Sequence, residues 1–441
     1  MKLVKSLLLG SAAGFAAVAG AQAADLPSRK AAPAAVEYVR VCSTYGAGFF
    51  YIPGTQTCLR VGGRIRAEYL VQETFDGVGL DTSDGYGFRA RGRLNIDART
   101  ATAYGTLRTF IRFEMTVSNG SYGQGVNSTG PQFVAVRGGA GGTVSNLDKG
   151  FVQFGPVTAG RAQSFFDFYA DTHNYGPIRG SDMTANLLAY TATFGSGFSA
   201  TISLEDRSER QVVGNFVTGG QTYPDIVGSL NLTQGWGSAQ LSGAVFERNA
   251  QAGLGGFGGR EETGYAIQGG IKLNLPMLAA GDELWLQAAY TEGGISYLGY
   301  GGAGAGSTWG PNSNVGRLAF VNSDANVDVN GRTILTKGYA LTAVLLHYWT
   351  PTIRQAVYGS YSELDYGRGV FVGGVANQDP KEFRIGSNLV WSPVSGLDIG
   401  VEVLYAKAEV KNRIQALGRP AGVLIKSDDA LSARLRIQRD F

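Results

Sequence analysis

The sequence predicts an all-β chain: a 16-stranded antiparallel transmembrane β-barrel with an inward-folded third loop. Three observations predict it. Apolar and polar residues alternate at period two over many separate segments. The gaps between those segments are alternately short and long. Beyond residue 24 no segment is both long and apolar enough for a spanning helix; Met115 to Val136 lacks charge but is rich in Gly, Ser and Asn. Composition agrees. Gly supplies 66 of 441 residues, roughly double the usual ~7%. Aromatics are plentiful while mean hydropathy is near zero, as expected where only every second strand residue need be oily.

The elements follow in order. Lys2 and Lys5 precede an apolar run from Leu7 to Val18, and Ala21-Gln22-Ala23 gives a small-x-small cleavage site. Residues 1–23 therefore read as a secretory signal peptide, with the mature chain starting at Ala24. Cleavage removes two lysines and lowers the formal charge from +3 to +1, which argues against a nucleic-acid partner. Residues 24–58 read as a periplasmic N-terminal segment. It carries both cysteines, Cys42 and Cys58. In an exported chain an isolated pair reads as a disulfide, with an expected gain of about 3 kcal/mol from closing the loop. A metal pair would want further ligands, and the two histidines, His173 and His347, lie far away in sequence.

Residues 59–441 read as the barrel. Alternation over 59–70, 87–99 and 104–117 places Arg64, Arg66, Arg91, Arg93 and Arg112 on one face and Val61, Ile65, Phe88, Leu94, Ile111 and Phe113 on the other. Thirteen more strands are expected at about 148–154, 157–162, 187–194, 198–205, 224–233, 237–247, 263–275, 282–292, 338–349, 353–364, 381–392, 397–409 and 429–441. Short turns, such as Gly155-Pro156 and Gly195–Gly197, alternate with long loops at 71–86, 118–147, 163–186, 206–223, 248–262, 293–337, 365–380 and 410–428. An outer-membrane barrel has short turns at one end and long loops at the other. The last segment, LSARLRIQRDF (431–441), alternates and ends on Phe441. It reads as the strand that closes on the first and removes the edges a bilayer cannot hydrate. Tyr104, Trp236, Trp285, Trp349, Trp391 and Tyr405 lie near strand ends or turns, where interfacial girdles form.

Sixteen strands enclose water. The inward parity near mid-depth carries Arg64, Arg66, Arg91, Arg93 and Arg112, with Arg384, Arg434 and Arg436 added by strands fourteen and sixteen. Closure makes these strands one contiguous wall. Of the basic residues 28 are Arg and 10 are Lys, and Arg keeps its charge at any working pH. The third loop, 163–186, carries Phe165, Phe166, Phe168 and Tyr169 with Asp167, Asp171 and Asp182. Folded inward and anchored by its aromatics, it would set carboxylates against the arginines and narrow the lumen. Arg179 in the same loop weakens the negative side.

No Gly-x-Ser-x-Gly pentapeptide, His-x-x-x-His pair or Gly-Lys phosphate loop occurs. No catalysis, metal or cofactor is expected. The Gly-rich tracts at 138–142, 253–259 and 299–306 read as surface loops.

Three stretches carry a family resemblance: VEYVRVCSTYGAGFFYIPGTQTCLRVGGRIR (36–66), TAGRAQSFFDFY (158–169) and the Arg-rich closing strand with its terminal Phe. The chain resembles the general porin family of alpha-proteobacteria over essentially its whole mature length. The resemblance implies a homotrimer in the Gram-negative outer membrane, surrounded by outer-membrane lipids and lipopolysaccharide. It implies passive diffusion of small hydrophilic solutes and ions, with 163–186 as the constriction. The alternative is an adhesin or receptor barrel acting through its long loops.

Overall fold

The computed structural model describes residues 40–72, 85–120, 122, 142–214, 216–253, 259–301, 314–320, 322–328, 330–367, 378–416 and 419–441. The expected signal peptide and most of the three Gly-rich tracts lie outside them.

Sixteen strands pair in chain order, all antiparallel. They are β1 (Cys58–Gln72), β2 (Tyr86–Thr102), β3 (Gly105–Gly120), β4 (Gly142–Phe154), β5 (Val157–Gln163), β6 (Thr184–Gly195), β7 (Phe198–Glu205) and β8 (Asp225–Gln234). The second half comprises β9 (Gly237–Gly253), β10 (Glu261–Asn274), β11 (Glu283–Glu292), β12 (Lys337–Thr350), β13 (Ile353–Asp365), β14 (Lys381–Val394), β15 (Leu397–Gln415) and β16 (Leu424–Asp440). β16 pairs with β1, Arg64 standing opposite Asp440 and Gln72 opposite Ser432, so the sheet closes on itself. Phe441 extends the closure: it exchanges backbone bonds of 2.9 and 3.1 Å with Gly63, and its ring stays exposed. Arg439, which interrupts the oily parity of β16, donates to the Ser395 carbonyl in the β14–β15 turn.

Period-two alternation decides which side chains face out. Along β1, Val61, Ile65, Tyr69 and Val71 are exposed while Glu68 and Leu70 are buried. The seven β2–β3 to β14–β15 connections alternate with the long ones, which places all short turns at one end. Trp236, Trp349 and Trp391 are exposed at or beside those turns, as is Tyr104. One aromatic, Trp285, differs from expectation. Trp285 lies on the inward parity of β11, with its ring 5.2 Å from Phe168 and 5.5 Å from Tyr169. Tyr405 lies well inside β15, opposite Leu431. Proximity to a strand end in sequence does not fix parity.

Cys42 and Cys58 form a disulfide with a Cα–Cα distance of 5.9 Å. The bridge is buried against Phe49, and Tyr51 pairs with Cys58 in a short extension of the sheet beside β1. It lies at the short-turn end, because Cys58 faces Arg99 near the end of β2. His347 Nδ1 donates to Asp282 Oδ2 at 2.6 Å near a turn of that same end.

Candidate functional site

The inward faces of β16, β1, β2 and β3 form a ladder with three rungs. Cross-strand register sets them: Arg436, Glu68 and Arg89; then Gln438, Arg66, Arg91 and Thr116; then Asp440, Arg64, Arg93 and Glu114. In the first rung Glu68 accepts from Arg436 at 2.9 Å and from Arg89 at 2.6 Å. In the third, Arg64 donates to Asp440 at 2.5 Å and Arg93 to Glu114 at 2.6 Å. In the second, Arg66 Nε donates to Gln438 Oε1 at 2.9 Å and Arg91 Nε to Thr116 Oγ1 at 3.0 Å. Arg112 continues the wall, held by Asn95 at 2.9 Å and facing Asp148 at 3.4 Å. Fixing Nε on a neighbour immobilises the guanidinium plane, and Arg64, Arg89, Arg93 and Arg436 commit a terminal nitrogen to the same carboxylate as well.

Residues 164–183 bond to inward side chains across the sheet. Gln240 of β9 and Gln268 of β10 donate to the Asp167 and Phe166 carbonyls at 2.9 and 2.8 Å. Gln287 of β11 accepts from the Tyr169 N–H, and Asn388 of β14 donates to the His173 carbonyl at 2.6 Å. Glu402 of β15 accepts the N–H groups of Tyr175 and Gly176, both at 2.6 Å. Arg179 and Glu382 form a fully buried pair with bonds of 2.8 and 2.7 Å. Two glycines make room for the loop. A Cβ at Gly270 would collide with the Phe168 ring, and one at Gly400 with the Tyr175 hydroxyl. Phe166 packs edge-on to Tyr297 at 4.6 Å, within a cluster that includes Val227 and Phe246.

A cavity of about 700 Å³ lies between ladder and loop. Of the residues singled out in the sequence, Arg64, Arg66, Arg91, Arg93, Arg112 and Arg436 line it from the wall, and Asp171 and Asp182 from the loop. Three others do not reach it. Arg384 is buried behind the loop, bonded to Glu382 and to the Pro177 carbonyl. Arg434 is buried there too, donating to the Tyr175 carbonyl. Asp167 turns away from the ladder and accepts from Arg210 at 3.1 Å and from Ser181. All three have the parity or placement that the sequence suggested; the loop comes between the two arginines and the cavity, and Asp167 is engaged by Arg210 and by other residues of the loop. Phe165, Phe166, Phe168 and Tyr169 pack on the wall rather than on the cavity. Arg179 shares the Glu382 carboxylate with Arg384, so its charge is partly offset there.

The cavity also takes in Arg89, Arg354, Lys149, Glu114, Asp148 and Asp398. Parity alone would have found Arg89. Asp148 and Lys149 depend on a register shift between Arg112 and Phe113 that no sequence pattern announces. On the loop, withdrawal from water pushes the Asp171 carboxyl up to about 7, with the charge of Asp182 adding to the effect. Burial holds His173 below its ordinary value, against the bond that its Nε2 donates to Glu283 at 3.2 Å. Among the described residues no group of three or more His, Cys, Asp or Glu is placed to hold a metal. The arrangement suits brief, reversible electrostatic contact with polar solutes.

Comparison with known proteins gives concordant results. A family model described as "Porin subfamily" matches residues 29–433. The porin Omp2b of Brucella suis biovar 1 (strain 1330) is 33% identical over 374 residues, covering 81% of this chain and 93% of that protein. The Brucella neotomae Omp2b is 34% identical over 359 residues, covering 77% and 89%. Among solved structures, the outer membrane channel DcaP of Acinetobacter baumannii shares the fold with a TM-score of 0.63 at 16% identity, over 89% of this chain and 99% of that one. OmpF of Salmonella typhi, in complex with daunomycin, gives 0.52 at 14% identity, over 88% and 98%. The chain thus belongs to the porin subfamily, as a β-barrel of the Gram-negative outer membrane through which solutes pass by passive diffusion.

Proposed function

We propose that the ladder and residues 163–186 face each other across the narrowest part of the pore. Small hydrophilic solutes and ions would cross there down their gradients, under a field directed from the guanidiniums toward Asp171 and Asp182. The single observation that carries this is the cavity bounded by both groups. A low-dielectric wall around opposed charges focuses the field and orients dipolar solutes. The chain acts as a channel with no catalytic step. Arg64, Arg66, Arg91, Arg93, Arg112 and Arg436 serve as the basic side, and the loop aromatics as its anchors.

The same reading assigns three copies to the functional unit, set in outer-membrane lipid and lipopolysaccharide. A trimer form of OmpT from Vibrio cholerae shares the fold at a TM-score of 0.50 and 9% identity, over 88% of this chain and all of that one. Residues 1–23 are assigned to export, and the disulfide-bridged segment to the periplasmic side. Deleting most of 163–186 tests the reading in planar bilayers. Single-channel conductance is expected to rise; a value equal to that of the intact protein would move the constriction elsewhere.

A further inference from the structure

The charges of the ladder do not cancel evenly. The first rung sets one carboxylate, Glu68, against two guanidiniums. The third sets Asp440 and Glu114 against two. The middle rung has none of its own. Arg66 and Arg91 stand directly opposite each other on adjacent strands, and each spends its Nε on a neutral oxygen. Among the described residues the one carboxylate within 4 Å of either is Glu114, 3.7 Å from Arg91 Nη1 and already bonded to Arg93. Among the described residues Arg66 has no ion-pair partner.

Like charges directly opposite each other across a strand pair are destabilising. A guanidinium fork without a carboxylate is also a ready two-point donor for oxygen anions. Here Arg66 is such a fork, and Arg91, with only a distant share of Glu114, stands beside it; both are held through Nε and line the same cavity. Two adjacent guanidiniums with only a share of one carboxylate between them favour a divalent guest over a monovalent one. Resting on the pore reading above, we infer that Arg66 and Arg91 form a subsite for small oxygen dianions, the chemistry shared by sulfate, hydrogen phosphate and short dicarboxylates. Occupancy would neutralise the middle rung and obstruct the passage of chloride. The subsite makes the pore a weak, saturable binder of dianions as well as a sieve.

Planar-bilayer recording of the full-length barrel in dilute potassium chloride, with sulfate or succinate added at millimolar concentration, tests this. Both probes are expected to lower chloride conductance saturably. In Arg66→Gln/Arg91→Gln the half-blocking concentration should rise at least tenfold, with chloride conduction showing that the variant barrel is folded and inserted. Should that variant fail to insert, Arg66→Gln alone serves, with a rise of severalfold expected. Block by sulfate but not succinate would assign the subsite to compact tetrahedral anions, and the reverse to dicarboxylates spanning both forks. Chloride conduction without dianion block, or with the same block in wild type and variant, overturns the subsite and leaves the pore reading standing. A folded barrel that does not conduct overturns the pore reading itself.

Discussion

At the scale of the residue, single carboxylates hold the loop. Glu382 is buried and accepts from both Arg179 and Arg384. Removing one partner of such a group leaves charge in a dry site, at a cost of about 3–5 kcal/mol. In Glu382→Gln two buried guanidiniums lose their common counter-charge. Backbone amides around Arg179 are expected to exchange with deuterium faster in the folded variant than in wild type; equal exchange would show that other contacts fix this part of the loop. Glu402 acts by different means, binding two backbone N–H groups of the loop rather than a side-chain charge. Neither role was legible in the sequence. Both are inward residues of distant strands, and only the path of the loop gives them partners.

At the scale of the element, what was legible follows from periodicity. A strand with one lipid face and one wet face must alternate, so β1 to β3 and β16 declared their inward arginines directly. Partners across a loop obey no period. Arg384 and Arg434 therefore read as wall charges when they are loop anchors, and Asp167 read as a lumen acid when it is paired to Arg210. The N-terminal segment shows the opposite case, a long-range link that spacing and compartment alone made readable. Cys42–Cys58 closes a loop whose other ties include the bonds from Cys42 to Phe49 and from Tyr51 to Arg40, the short pairing with β1, the Thr57–Thr100 bond and the stacking of Arg99 on Tyr45 and Phe49. Cys42→Ser/Cys58→Ser is expected to give up about 3 kcal/mol of local stability. Proteolysis should then cut residues 40–57 while the barrel keeps its heat resistance; loss of both together would make the bridge part of the barrel's own stability.

At the scale of the whole molecule, the charge asymmetry of the lumen responds to acid through the loop. Asp171, with its carboxyl raised to about 7 by burial and by Asp182, is largely ionised at pH 8 and largely protonated at pH 6. Protonation removes a negative charge from the side facing the ladder. Arg384 and the Asn174 amide oppose the shift, and Glu402 adds to it. His173, held below its ordinary value, stays neutral through most of this window. Preference for anions over cations is therefore expected to increase as pH falls from 8 to 6, read as reversal potential in a salt gradient. Asp171→Asn should remove that dependence; a persistent slope would assign it to another group.

The loop is tied at intervals from Tyr169 to Arg179, to β11, then to β14, β15 and β16, and back to β13 and β12. A molecule slightly wider than the gap cannot ease the rim aside without breaking several charge-assisted bonds at once. Permeability should thus fall off abruptly with solute girth, and warming should speed passage no more than it thins the water in the bore.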